Sequence, residues 1–243
     1  MQEAAVRREP AREDARRLPG WTSQALLVVQ KDLKIEARTG EVVVTSGFFA
    51  VLLVVLASLS LFGGPDTARV VGSGVIWLSI TFAAVLALGR TWQREREESA
   101  LDGLLVAPLA RSALFAGKLI GILIFLLLIG AIVIPLTALF FSLDLDRYGL
   151  GLACIALVAL PGVAAAGTLF GSMTVRTAAR DLLLAIVLFP LVSPTLLAAV
   201  AATRELLGGT PLGELGDYFR LMAVFDVVFA AGGITMFGAL VER

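Results

Sequence analysis

The sequence predicts an all-helical integral membrane protein with six transmembrane helices. Of its 243 residues, 58% are hydrophobic, whereas soluble domains use about 45–50% apolar residues. The mean hydropathy is +0.91, and the apolar residues form long blocks with almost no charge, which is typical of segments surrounded by lipid. Each block is near or above the roughly 20 residues that a helix needs to cross a bilayer. The blocks are residues 42–62, 70–89, 114–141, 149–175, 181–202 and 220–241.

Four prolines fall inside these blocks: Pro135, Pro161, Pro190 and Pro194. A proline in a membrane helix removes one backbone donor and bends the helix, and neighbouring helices can satisfy the freed carbonyl. The alternative is that the prolines mark helix ends.

The residues before the first block divide into two parts. Residues 1–20 are crowded with charge and have too few apolar residues to build a core, so we expect a disordered tail. Residues 21–243 are then one six-span domain. Within it, Ser23 to Arg38 places Leu26, Val29 and Leu33 at helical spacing, which favours a helix lying in the membrane interface. Alternatively, this segment is a soluble amphipathic helix packed on a partner.

The distribution of lysine and arginine predicts the orientation, because positive charge is retained on the cytoplasmic side. One side carries Arg7, Arg8, Arg12, Arg16, Arg17, Lys31, Lys34, Arg38, Arg90, Arg94, Arg96, Arg111, Arg176, Arg180 and Arg243. The other side carries Arg69, Arg147, Arg204 and Arg220. Both termini are therefore predicted to be cytoplasmic.

The longest polar stretch between the blocks runs from Arg90 to Lys118. Leu101, Leu104 and Leu105 share one face of a short predicted helix that Pro108 stops. An apolar face flanked by charge predicts a docking surface, and in an ATP-driven transporter the partner is the nucleotide-binding subunit. The alternative is an interfacial helix that touches only lipid headgroups.

Several chemical functions are disfavoured by what the sequence lacks. It contains no histidine and one cysteine, Cys154, so the commonest metal ligand and any internal disulfide are missing. No G-x-x-x-x-G-K-[ST] motif occurs, since Gly117-Lys118 is followed by Leu119. The net charge is zero and does not indicate a nucleic-acid partner. We assign no catalytic, cofactor-binding or metal-binding residue, and expect any ATP hydrolysis from a separate subunit.

Two ionisable residues lie within the predicted spans. Lys118 is near the cytoplasmic end of the third span, and we expect its ammonium group to snorkel to the surface. Asp226 lies six residues into the last span, where a carboxylate is costly and marks either a functional contact or a hydrogen bond to a neighbouring helix. The pairs Gly117/Gly121 and Gly167/Gly171 permit close helix crossing, although this pattern is common in membrane helices.

The segment after the second span resembles that of type-II ABC exporter permeases, above all the cytochrome c biogenesis haem exporter protein B family (CcmB). The similar run extends from Glu95 to Arg111 and is followed by Gly117-Lys118-Leu119. Many members have a glycine, a small or hydroxyl residue and Leu-Glu where this chain has Glu98-Ser99-Ala100-Leu101-Asp102. Further similar stretches are Lys31-Asp32-Leu33, Gly74-Val75-Ile76-Trp77, Gly167-Thr168-Leu169-Phe170 and Ala223 to Phe229.

The resemblance implies a permease subunit in the cytoplasmic membrane of a bacterium. Its expected partners are a separate ABC ATPase and other membrane subunits of cytochrome c maturation, with two permease copies per complex. Haem is the expected cargo, or else ATP hydrolysis releases a haem-loaded periplasmic chaperone. The resemblance and the charge pattern together imply that the ATPase-coupling residues are Glu97, Glu98, Leu101, Asp102, Leu104, Leu105 and Pro108.

Three other functions remain open from the sequence. A type-II permease for a lipid or a drug shares the fold and differs only in cargo. A membrane assembly scaffold would not need ATP coupling. A proton-coupled carrier is least supported, because Asp226 alone is a poor relay.

Overall fold

A computed structural model of the chain describes residues 19–60, 65–97, 109–174 and 180–241. Most of the predicted tail lies outside these ranges, and so do the predicted coupling residues Glu98, Leu101, Asp102, Leu104, Leu105 and Pro108. Glu97 is the last residue of its helix, but its side chain is outside the described part.

The described residues form long helices and no strand. The helices are α1 (Trp21–Thr39), α2 (Glu41–Ser60), α3 (Pro65–Glu97), α4 (Arg111–Phe140), α5 (Leu145–Thr174), α6 (Arg180–Gly208) and α7 (Gly216–Val241), with a 3-10 turn at Leu212–Leu215 before α7. Six helices in the described ranges are long and apolar enough to cross a membrane. This confirms the predicted all-helical fold with six spans.

The observed spans differ from the predicted blocks mainly at their ends. The second block was predicted to end at residue 89, but α3 continues to Glu97 and its span extends to Glu95. The charged residues Arg94 and Glu95 remain helical because ion pairs with α1 compensate their charge. The prolines Pro135, Pro161, Pro190 and Pro194 all lie inside helices, so the alternative that they mark helix ends is wrong.

Helices α3, α4 and α5 form the centre of the bundle. The main core joins aromatic and branched side chains of α3 and α4 to small residues of α5, such as Ala159 and Ala164. A buried hydrogen bond from Trp77 Nε1 to Thr203 Oγ1, 2.8 Å long, links α3 to α6. The spans of α2 and α7 are the least buried of the six in the described chain, so they leave the most surface outside the bundle.

Helix α1 packs along α4, not on lipid alone. Its buried face consists of Gln24, Ala25, Val28, Val29, Asp32 and Glu36. Of the apolar residues that the sequence places at helical spacing, Val29 is on this face, whereas Leu26 is 55% exposed. Asp32 and Glu36 are buried on the same face because cations of α4 and α3 lie opposite them.

A single residue, Gly40, connects α1 to α2. Its φ of 62° is left-handed, a conformation that glycine adopts at little cost. The Gly40 amide donates to the Glu36 carbonyl at 2.7 Å, which closes the end of α1. The first span therefore begins directly where α1 ends.

Candidate functional site

Lys118 of α4 is enclosed within the protein. Its side chain is 1% exposed, and its ammonium nitrogen lies 2.9 Å from Oδ2 and 3.1 Å from Oδ1 of Asp32. The same nitrogen forms an ion pair with Oε1 of Glu95. The expectation that Lys118 snorkels to the surface is wrong, because two carboxylates from α1 and α3 neutralise its charge inside the bundle.

Lys31 joins the same two carboxylates from the rim. Its nitrogen lies 2.6 Å from Oε1 of Glu95 and 3.2 Å from Oδ1 of Asp32. Burial alone would lower the pKa of Lys31, but the carboxylates of Asp32 and Glu95 outweigh it and raise this pKa above its ordinary value. Lys31 therefore stays protonated at neutral pH, and on the alkaline side its ion pairs are lost only above the ordinary titration range of lysine.

We call Lys31, Asp32, Glu95 and Lys118 the ion cluster. It contains two cations and two carboxylates from three helices, so it is charge-balanced. A balanced, mutually paired set is the form in which charges are tolerated inside a membrane protein.

A second set of ion pairs lies beside the ion cluster, where α2 begins. Arg94 contacts Glu41 at 3.0 Å and Glu36 at 3.7 Å, and Arg90 contacts Glu41 at 3.6 Å. Glu36 Oε1 also accepts a 2.8 Å hydrogen bond from the Val43 amide. These pairs attach the end of α3 to the turn between α1 and α2.

Trp92 covers the ion cluster on its apolar side. The side chain is 2% exposed, and its ring centroid lies 5.9 Å from the ammonium nitrogen of Lys118, within cation–π range. The indole rests on Gly171 of α5, where a methyl group would overlap the ring. Gly117 of α4 likewise lies against Val28 and the carbonyl of Ala25. Both glycine pairs noted in the sequence thus lie at helix contacts.

Helix α1 also holds the start of α4. Gln24 Oε1 accepts a 2.8 Å hydrogen bond from the Ala110 amide, and Trp21 Nε1 donates to Ser112 Oγ at 2.9 Å. Because Lys31 pairs with Glu95 of α3, α1 contacts the chain on both sides of residues 98–108. These residues are the ones predicted to dock the ATPase.

The candidates for a haem ligand differ in their burial. In this histidine-free chain they are Cys154, Met173, Met222, Met236 and the tyrosines. Met222 is fully buried in the main core, whereas Met173 is 46% and Met236 55% exposed on different helices. The small pocket beside the ion cluster has a volume of about 10 Å³, room for roughly one water molecule and not for a porphyrin.

Asp226 lies in α7, ten residues after the helix begins at Gly216. Its carboxylate is half-buried between α7 and α5, with Oδ1 directly against Gly162. Oδ1 has no hydrogen-bond partner among the described residues. The structure therefore places Asp226 at a close contact between α5 and α7.

Replacing Asp226 by asparagine is expected to leave the unfolding temperature in detergent unchanged, because the side chain keeps its shape. Transport function should stay within about twofold of wild type. Gly162→Ala is the companion variant, since its methyl group overlaps Oδ1 and the carboxylate must turn away, at a cost of about 0.5–1.5 kcal/mol. Thermal unfolding of both purified variants measures this. A normally inserted but inactive Asp226→Asn protein would instead show that the carboxylate has a chemical role.

Sequence reasoning missed the ion cluster. Lys31 and Asp32 lie in one similar stretch, Glu95 opens another and Lys118 follows it. The available signal was the coincidence of two acids and two lysines near the predicted ends of spans on one side of the membrane. Single residues gave no indication that α1 would lie beside α3 and α4.

The family model described as CcmB protein matches residues 23–239. The heme exporter protein B of Bradyrhizobium diazoefficiens is 25% identical over 203 residues, which cover 83% of this chain and 89% of the relative. The heme exporter protein B of Rhodobacter capsulatus is 29% identical over 184 residues, which cover 73% and 81% respectively. The match to the family model spans nearly all of the six-span domain, and the chain therefore belongs to the CcmB protein family.

Proposed function

We propose that this chain is the membrane permease subunit of an ABC-type complex for haem export in cytochrome c maturation. The observation that carries this function is the family match from residue 23 to residue 239, which covers α1 and all six spans. Two relatives named heme exporter protein B support it along most of their own length.

The chain acts through a change of conformation, and not as a catalyst. A separate ABC ATPase hydrolyses ATP, and two copies of the chain pair with two ATPase subunits, because such transporters need opposed membrane halves. Other membrane subunits of the maturation system complete the complex. It lies in the bacterial cytoplasmic membrane, with the lysine- and arginine-rich end of the bundle in the cytoplasm.

The contact with the ATPase is made by the segment between α3 and α4. Leu101, Leu104 and Leu105 supply the apolar face, and Pro108 ends the docking helix. Glu97, Glu98 and Asp102 set its register by charge pairing. The ion pairs of Arg94 and Glu95 with α1 favour this location, because they attach the helix that leads into the segment.

Two accounts of the cargo fit this arrangement. Haem crosses the membrane with the help of this subunit, or ATP hydrolysis releases a haem-loaded periplasmic chaperone. The possible sulfur ligands occupy both buried and exposed positions. This favours the second account, in which ATP hydrolysis releases the haem-loaded chaperone.

The decisive experiment is covalent haem staining of membrane c-type cytochromes in a strain that lacks this chain. We expect staining to disappear and to return when the wild-type chain is restored. The Leu104→Asp/Leu105→Asp variant should insert stably yet fail to restore staining, because two carboxylates on the apolar face prevent docking. Asp217→Asn/Arg220→Gln, which removes an exposed ion pair at the other end of the bundle, is the control.

Unchanged staining in the deletion strain would contradict a role in cytochrome c maturation and favour a permease for a lipid or drug. Restored staining by the aspartate variant would contradict the proposed docking face and favour a scaffold that needs no ATP coupling.

A further inference from the structure

The ion cluster lies between the two chain segments that flank residues 98–108. On the side that precedes them, Glu95 of α3 binds both Lys31 and Lys118. On the side that follows, Ala110 and Ser112 bind Gln24 and Trp21 of α1. Helix α1 is therefore a common support for both flanks.

We propose that the ion cluster is a positioning device that makes the end of α3, the start of α4 and helix α1 move as one unit. This inference rests on the proposed function, because it takes residues 98–108 to be the segment that the ATPase displaces. The residues of the cluster touch neither ATP nor cargo, and act through the segment they flank.

The bonding pattern favours joint movement over independent movement. Each ammonium group binds carboxylates from two helices, and each carboxylate binds both ammonium groups. A shift of α3 relative to α1 and α4 would break the contacts of Glu95 with Lys31 and Lys118 together. The cluster therefore resists bending at the end of α3 and transmits the displacement to α1 and α4.

Stability alone gives no reason for charges here. Ala25, Ala113 and Ala116 already pack α1 on α4 through apolar contact. Buried ion pairs add little net stability compared with apolar side chains of similar size, whereas their geometry is directional. The cluster consequently fixes the register between three helices, which apolar packing of small alanines leaves loosely defined.

The test uses a charge-balanced variant, Glu95→Gln/Lys118→Met. It removes one negative and one positive charge and leaves the Lys31–Asp32 pair of 3.2 Å intact, so no ion is left unpaired. The control is again Asp217→Asn/Arg220→Gln, an exposed pair with the same change of charge at the opposite end of the bundle.

The full complex of each variant with its ATPase is purified and reconstituted, and ATP hydrolysis is measured. Covalent haem attachment to c-type cytochromes is measured in membranes of the same strains. We expect normal insertion, ATPase association and hydrolysis for Glu95→Gln/Lys118→Met, but about tenfold less haem attached, since coupling residues typically change coupling by such factors. A purely structural role would lower association and attachment together.

A milder variant, Glu95→Asp, keeps the charge but withdraws the carboxylate by one methylene group. It should lower haem attachment by about threefold at unchanged ATPase association. Wild-type attachment in either variant would overturn the inference, and so would equal losses of attachment and association in both. Failure of the proposed function itself would give a different result. In that case the wild-type chain would neither retain the ATPase nor restore haem attachment in the deletion strain.

Discussion

Replacing Lys118 alone by methionine is expected to leave most of the protein molecules without a stable fold. The side chain is 1% exposed and neutralises Asp32 and Glu95, whose side chains are 8% and 5% exposed. Its removal leaves two buried carboxylates to share Lys31, and breaking a buried ion pair from one side costs about 3–5 kcal/mol. Denaturation of the purified protein in mixed micelles measures the loss, and membrane protein levels in cells should fall with it.

The charge-balanced Glu95→Gln/Lys118→Met protein is the control for this prediction. It lacks the same lysine but keeps the remaining cluster neutral, so it should recover most of the lost stability. Equal instability of the single and double variants would contradict the electrostatic explanation and indicate that the methylene groups of Lys118 matter through packing alone.

The second large effect is expected from a single methyl group on α4. Gly117→Ala places a Cβ 2.7 Å from the carbonyl oxygen of Ala25 and 2.6 Å from Cβ of Val28. One of these neighbours is backbone, so α1 must move away from α4, at a cost of about 1–3 kcal/mol. We expect the Trp21 and Gln24 hydrogen bonds to the start of α4 to be lost as well, because they require the close approach.

Gly121→Ala provides the matched comparison, one helical turn further along the same face. Its Cβ would lie 3.6 Å from Oδ2 of Asp32, an ordinary van der Waals contact. Limited proteolysis within α1 and the fluorescence of Trp21 report whether α1 stays attached. Equal protection of α1 in both variants would show that the close approach at Gly117 is not required.

The six spans could be predicted because transfer of apolar blocks into lipid depends on composition and length, which are local properties of the sequence. The end of α3 could not be predicted in the same way. Arg94 and Glu95 resemble the polar end of a span until their partners Glu36 and Lys31 are known. Those partners lie more than fifty residues earlier in the chain and are brought close only by helix packing.

Lys118 was misjudged for the same reason. A lysine near a span end is expected to reach the headgroups, since its long side chain allows it. Whether it does so depends on the space around it, and here Trp92, Asp32 and Glu95 enclose it. The glycine pair that permits α1 to approach was visible in the sequence, but its partner surface was not.

Chain order gives the ion cluster a consequence for biosynthesis. Asp32 and Glu95 both precede Lys118, so both acids are synthesised before the lysine. An isolated ammonium group is costly to place in a bilayer. The two acids that compensate this lysine are therefore already on the same chain when α4 packs against α1 and α3, and no later-made segment has to supply them.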